Sequence, residues 1–241
     1  MFEDALRFPW NGDRKLETLL IGGVLLLLSP LLVPVLFVYG YLVRVIRRTD
    51  VGDTDEPPVF SEWGELLVDG VVGFIISLVY FLIPTAVITI GAVLFFIPVG
   101  IAGSSVGDAG GGIIAAGGAV IALFVVALSV LLSIAAMYLV PAAVAAFART
   151  GRFGAAVSPS VLRPMLTSRR YATGWAVAVA ITLLAQILGG AVSATGIGVL
   201  LVPLVTFYGN VAGAYAIGRG VSDLEMETSV DEDAATSQPA V

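Results

Sequence analysis

The sequence predicts an all-α fold: a polytopic membrane helical bundle of about five apolar segments, some broken by proline, with a short interfacial helix and a disordered acidic tail. Two observations predict it. Hydrophobic residues make up 58% of the 241 positions and charged residues only 12%, with a mean hydropathy of +1.01. A soluble domain is about a quarter charged, so this chain lacks the polar surface to cover a globule in water. The apolar residues also fall in long runs, of the length needed to cross a hydrocarbon core of about 30 Å. Inside that core every backbone polar group must be satisfied within the segment, which selects helices.

The runs cover roughly residues 18–46, 66–99, 113–147, 171–190 and 197–217. The last two approach the length of one span. The first three are longer than the membrane is thick at about 1.5 Å per residue, so they must tilt, run on into the headgroups or break. Pro30, Pro34, Pro84 and Pro203 are the candidate helix-break positions, because proline removes a backbone donor and frees a carbonyl. Between the first two runs, "RTDVGDTDEPPV" reads as a loop and "FSEWGELLVDG" as a helix at the interface. Its Glu62, Glu65 and Asp69 fall on one stripe, and Trp63 suits the headgroup level. "GSSVGDAGGG", residues 103–112, reads as a connector, and 148–170 as an arginine-rich one. Two domains follow: an integral membrane domain over 1–220 and a disordered acidic tail over 221–241. The tail supplies the net charge of −6, since residues 1–220 hold twelve acids and twelve bases.

Basic residues set the orientation, because short loops rich in them stay cytoplasmic. Arg44, Arg47 and Arg48 follow the first run; Arg149, Arg152, Arg163, Arg169 and Arg170 lie between the third and fourth; Arg219 ends the fifth. This predicts a multi-pass protein of the cell membrane with loop 148–170 and the tail in the cytoplasm. Two topologies fit the first run. A single kinked crossing strands Arg7, Arg14 and Lys15 outside, whereas a re-entrant hairpin turning at Ser29–Pro34 brings every basic residue to one side. The N-terminal stretch carries no cleavage signature, and no cleavage is expected.

Small residues mark the packing faces. Gly209 and Gly213, with Ala212, Ala216 and Gly220, form stripes on the fifth segment, and Ala172, Ala176 and Ala180 form a ladder on the fourth. Such stripes let helix backbones approach closely, and they predict packing between the two segments or a homo- or hetero-oligomer. "LLVPVLFVYG" at 31–40 returns as "LLVPLVTFYG" at 200–209. A parallel repeat and chance in a chain rich in leucine and valine both account for the echo.

Chemistry is sparse. Cysteine and histidine are absent, which removes thiolate chemistry, disulfides and histidine-based triads. No ionisable side chain lies deep in any run, where coupled transporters place one. No catalytic, metal or cofactor-binding residues are identified, and no cofactor is expected. The expected partner is the lipid bilayer, not nucleic acid. Arg44, Arg47, Arg48, Arg169 and Arg170 are the candidates for lipid headgroups or anchoring, and the first three are equally placed to pair in part with Glu62, Glu65 and Asp69. The acidic, lysine-poor, Val/Ala/Gly-rich composition suggests a halophilic archaeal source.

"DALRFPWNGDRKLETLLIGGVLLLLSPLLVPVLFVYGYLVRVIRR", "PPVFSEWGELLVDGVV", "YLVPAAVAAFARTGRFGAAVSPSVLRPMLTSRRYATGW" and "LVPLVTFYGNVAGAYAIGRG", in that order, resemble the domain of unknown function 4013 family of prokaryotic, often archaeal, multi-pass membrane proteins. The resemblance covers nearly all of 1–220; its most specific words are Gly40-Tyr41-Leu42-Val43-Arg44, Trp63 with Asp69-Gly70, and Tyr171. Val157 departs from it, standing where the family pattern has an aromatic. The resemblance implies the architecture and supplies no active-site residues. The expectation is therefore a non-enzymatic membrane protein serving as scaffold, assembly partner or lipid-organising element. A small-solute facilitator or permease component is the alternative.

Overall fold

The computed structural model describes residues 1–105, 108–222 and 224, and for 96–116 and 197 the backbone alone. Most of the described residues are helical and none lies in a strand. They form α1 (Phe2–Arg7), α2 (Lys15–Leu27), α3 (Val33–Asp50), α4 (Trp63–Ser105), α5 (Asp108–Thr150), α6 (Phe153–Val157), α7 (Pro159–Thr167), α8 (Arg169–Ser193) and α9 (Val202–Val221). Four of these helices are long and apolar enough to cross a membrane: α4, α5, α8 and α9, the last with the preceding turn. The predicted tail lies outside the described residues beyond Val221, Ser222 and Leu224. The predicted connector at 103–112 falls on the end of α4, the start of α5 and two positions outside the description.

The first apolar run is two helices, not one. The 13-residue α2 is about 20 Å long, short of the hydrocarbon thickness. A 3₁₀ turn over Ser29–Leu31 follows it. Leu32 then takes a left-handed φ of 62°, and Pro34 opens α3. Proline suits that first turn, where its missing donor would have no partner anyway.

Contacts with α9 fix the direction of each arm. Gly22 and Gly23 of α2 lie against Phe207 and Leu204, so α2 advances as α9 recedes. Tyr41 of α3 packs at 5.4 Å from Phe207, and further along Thr49 meets Gly218, so α3 runs with α9. The two arms are therefore antiparallel, and the run is a hairpin. Leu27, Leu28, Leu31, Leu32 and Val33 at its tip are exposed, a surface compatible with lipid and not with water.

The chain divides into two compact units, residues 1–73 with 142–241, and residues 74–141. In the first, α9 is the central helix. One side takes the α2–α3 hairpin and the other takes α8, and α9 is buried over most of its length from Phe207 onward. The second unit is a helix pair from the facing stretches of α4 and α5. Gly91 receives the side chain of Val125 there, while Leu82, Leu94, Leu123 and Phe124 stand exposed. Its apolar residues surround both helices, as expected where the solvent is lipid.

Two expectations need correction. The interfacial helix is not separate: Trp63 starts α4, which continues without a break. Nothing between Leu67 and Pro84 stops it, and Gly70 serves a helix crossing described below. Pro84 does not break a helix either, since α4 continues through it, as α5 does through Pro141. Each proline deletes one hydrogen bond from a ladder long enough to persist around it. Pro30 sits in the hairpin turn and Pro203 in the first turn of α9, where the chain does change direction.

Candidate functional site

Two groups of residues at the basic end of the first unit bear on function, one internal and one open. The internal group joins the end of α3 to the starts and ends of its neighbours. Arg44, its side chain 11% exposed, donates to the Ser61 carbonyl at 3.0 Å and to Glu62 and Glu65 at 3.3 and 3.4 Å. Arg47 pairs with Asp69 at 2.9 Å and donates through Nε to the Ala148 carbonyl at 3.0 Å. Arg149 pairs with the 10% exposed Asp50 at 3.0 Å and donates to the carbonyls of Val221 and Leu224 at 3.2 and 2.7 Å. Arg48 lies 3.6 Å from Asp53 at the surface. Charge-assisted bonds of this kind are stronger than neutral ones, and a partly buried guanidinium requires them. The predicted acidic stripe thus has its function: it pairs with the arginines of α3, Asp69 from a buried position and Glu62 and Glu65 from exposed ones.

Close helix approach makes these reaches short. A Cβ on Gly40 would fall on the Leu66 carbonyl, and one on Gly70 on the Leu36 carbonyl, so α3 and α4 cross glycine on glycine. The loop between them is held by Tyr41, whose hydroxyl donates to the Pro58 carbonyl at 2.8 Å while its ring stacks on Phe60 at 4.5 Å. Phe60 in turn lies 5.7 Å from Trp63.

The same device explains the echo of 31–40 in 200–209. Each copy follows a 3₁₀ turn, places its proline in the first turn of a helix and brings a Tyr-Gly pair to a helix crossing. Gly40 seats α4, and Gly209 seats α8 at Ala185.

The small residues of α9 are consumed inside the chain. Gly209, Ala212, Gly213, Ala216 and Gly220 are all buried, with Gly213 facing Ala178 and Gly220 facing Gly174. On α8 the contact does not run through the predicted ladder. Ala176 and Ala180 are exposed and Ala172 is half-buried, while Gly174, Ala178, Ile181 and Ala185 meet α9. A ladder read from spacing alone cannot choose between two small faces when nearly every residue of the helix is apolar.

The open group lies along α1, α8 and α9. A cleft of about 440 Å³ is lined by Asp4, Arg169, Arg170, Thr173, Tyr215 and Arg219, with Met1. Arg169, Arg170 and Arg219 are exposed there. Ser168 caps α8 beneath them, its hydroxyl accepting from the backbone of Arg170 and Tyr171 at 3.2 and 3.5 Å. A second hollow of about 430 Å³ is almost wholly apolar, with Leu16, Leu20, Leu184, Leu188, Leu204 and Tyr208 among its walls. Between them α1 is fastened to α9: the Tyr208 hydroxyl donates to the Leu6 carbonyl, and Phe8 packs 4.7 Å from Tyr215.

Of the predicted headgroup candidates, the structure separates two sets. Arg44 and Arg47 are tied into internal pairs and Arg48 faces Asp53, whereas Arg169 and Arg170 line the cleft. Sequence reading missed Arg219 and Tyr215 as their neighbours, and missed the apolar hollow. The available signal was Arg169-Arg170 itself. Two cations stand in the first turn of a helix, where the macrodipole favours acids. Among the described residues no cluster of acidic side chains is placed to hold a metal ion.

The family whose description reads "Protein of unknown function (DUF4013)" matches residues 23–194, from within α2 to the end of α8. Neither a curated protein nor a solved structure matches the chain.

Proposed function

This chain belongs to the DUF4013 family, a family of unknown function, and on that premise we propose that it is a non-enzymatic, lipid-organising component of the cell membrane. The observation that carries this reading is the distribution of cations. None of the twelve lies within residues 74–141. The hairpin returns Arg44, Arg47 and Arg48 to the end of α9 that also receives the N-terminal segment. Basic groups collected at one end of a membrane bundle face the cytoplasm and the anionic headgroups of that leaflet. Loop 148–170 and the tail accordingly lie on the cytoplasmic side. Three arginines remain exposed around an open cleft, which suits attraction of anionic lipid more than catalysis or solute passage. Gln186, one of few polar groups at membrane depth, is exposed on α8 and does not line the hollow that Tyr208 lines.

The test is lipid analysis of the protein purified in mild detergent from membranes of mixed composition. Anionic phospholipid enriched over the bulk membrane supports the reading. Lipid in the bulk ratio, or delipidated protein of unchanged stability, refutes it.

A further inference from the structure

The polar cleft and the apolar hollow lie along one helix face. On α9, Leu204, Tyr208, Tyr215 and Arg219 are four, seven and four residues apart, a spacing that keeps them on one side of the helix. On α8, Thr173, Leu184 and Leu188 are eleven and four apart, with the same consequence. The basic group is therefore stacked directly above the apolar one. The rise from Leu204 to Arg219 is about 22 Å at 1.5 Å per residue. One leaflet contributes about 15 Å of hydrocarbon, with the headgroup beyond it. The face therefore spans the distance from a lipid phosphate to near the bilayer midplane.

Charge selects the ligand class. The cleft wall carries three guanidinium groups, at Arg169, Arg170 and Arg219, against one carboxylate, Asp4. Guanidinium forks match phosphate oxygens with paired hydrogen bonds. Arg169 and Arg170 also sit at the positive end of the α8 dipole, where their own charges are disfavoured and a bound anion is favoured. A free anion would have no use for the leucine-lined hollow below, and a neutral lipid would have none for the arginines. We infer that this face is a binding site for a single phosphate-bearing anionic lipid. Arg169, Arg170 and Arg219 hold its phosphate, and one acyl chain lies among Leu20, Leu184 and Leu204. The inference rests on the lipid-organising reading and narrows it to one site.

Native mass spectrometry of the detergent-purified full chain tests it, with phosphatidylglycerol, phosphatidylcholine and glycerol phosphate as the probes. The expected result is one tightly held phosphatidylglycerol, with phosphatidylcholine bound more weakly and glycerol phosphate failing to compete. Arg169→Gln, Arg170→Gln and Arg219→Gln combined should weaken that binding by tenfold or more, since even one lost hydrogen bond to a charged group is of that size. Lysine at the same three positions should restore part of it. Leu184→Trp should fill the hollow and weaken phosphatidylglycerol without changing the arginines. Arg152→Gln with Arg163→Gln, on exposed arginines outside the cleft, should leave binding unchanged, and a wild-type elution volume shows that each variant is folded. Phosphatidylglycerol binding that survives both the triple and the tryptophan variants overturns the site while leaving the lipid-organising reading intact. Competition by glycerol phosphate overturns the lipid in favour of a free anion. Absence of any preference for anionic lipid sinks both.

Discussion

Gly40 and Gly64 are both helical glycines, one on α3 and one on α4, yet their surroundings oppose each other. A Cβ at Gly40 would overlap the Leu66 carbonyl, while one at Gly64 would meet nothing within 4 Å. Gly40→Ala should therefore destabilise the folded protein by about 1–3 kcal/mol through overpacking. Gly64→Ala should be neutral or stabilise by up to about 1 kcal/mol through helix propensity. Melting temperatures in one mild detergent compare the two, and equal effects would contradict the glycine crossing. Asp50, at the polar end of α3, makes a prediction of opposite sense to an ordinary salt-bridged acid. Burial pushes its carboxyl up from 3.8, with Arg149 pulling against that, and its Oδ1 has no hydrogen-bond partner among the described residues. The folded chain thus holds this proton more tightly than the unfolded chain. The contribution is fully present below the ordinary carboxylate value and is lost as pH rises through the raised one. Wild type should lose stability relative to Asp50→Asn from about pH 4 toward neutrality, as thermal melts across that range measure. Wild type gaining stability relative to Asp50→Asn as pH rises would contradict the assignment.

The α2–α3 hairpin is decided by contacts rather than by its own residues. Ser29-Pro30 and Pro34 announce a break in the sequence, and break and kink look alike there. What distinguishes them is that Gly22 and Gly23 press on α9 in one direction while Tyr41 and Thr49 follow it in the other. The chain has no cysteine, so single introduced cysteines report topology cleanly. Gly12→Cys and Ala155→Cys should resist an impermeant thiol reagent in intact cells, whereas Asp108→Cys and Ala194→Cys should react. Leu31→Cys, at the hairpin tip, should react with neither an external nor an internal aqueous reagent. Labelling of Gly12→Cys from outside would mean that the first run crosses. Pro84 teaches the converse. Proline in the middle of an apolar run signalled a break, yet the surrounding ladder of α4 continues through it.

At the scale of the molecule, α9 organises the first unit, with α8 on one flank and the hairpin on the other. Its small stripe could have been read as an oligomer surface, but those residues are already covered. Gly209 makes the test, because a Cβ there would lie 2.7 Å from that of Ala185. Gly209→Leu should reduce the yield of folded protein without converting a larger assembly into a smaller one, as light scattering on the eluting peak measures. A folded variant of smaller mass would place the stripe between copies. The four long apolar helices and the exposed leucines of residues 74–141 also require that the protein precipitate when detergent is withdrawn, a direct sedimentation measurement.

Composition and run length determined the membrane, the helical class and the ends at which charge collects, because those follow from transfer free energy summed over many residues. Glu62, Glu65 and Asp69 were legible as a stripe, and the α9 small residues as a packing face. Pairing of that stripe with the arginines at the end of α3 was legible too, though not that Arg44 takes both glutamates and Arg47 takes Asp69. Which alanine face of α8 meets α9, which arginines are satisfied internally and which three surround an open cleft depend on where helices distant in sequence come to rest. In a segment apolar on every side, periodicity carries no direction. Only the fit of one backbone against another chooses the face.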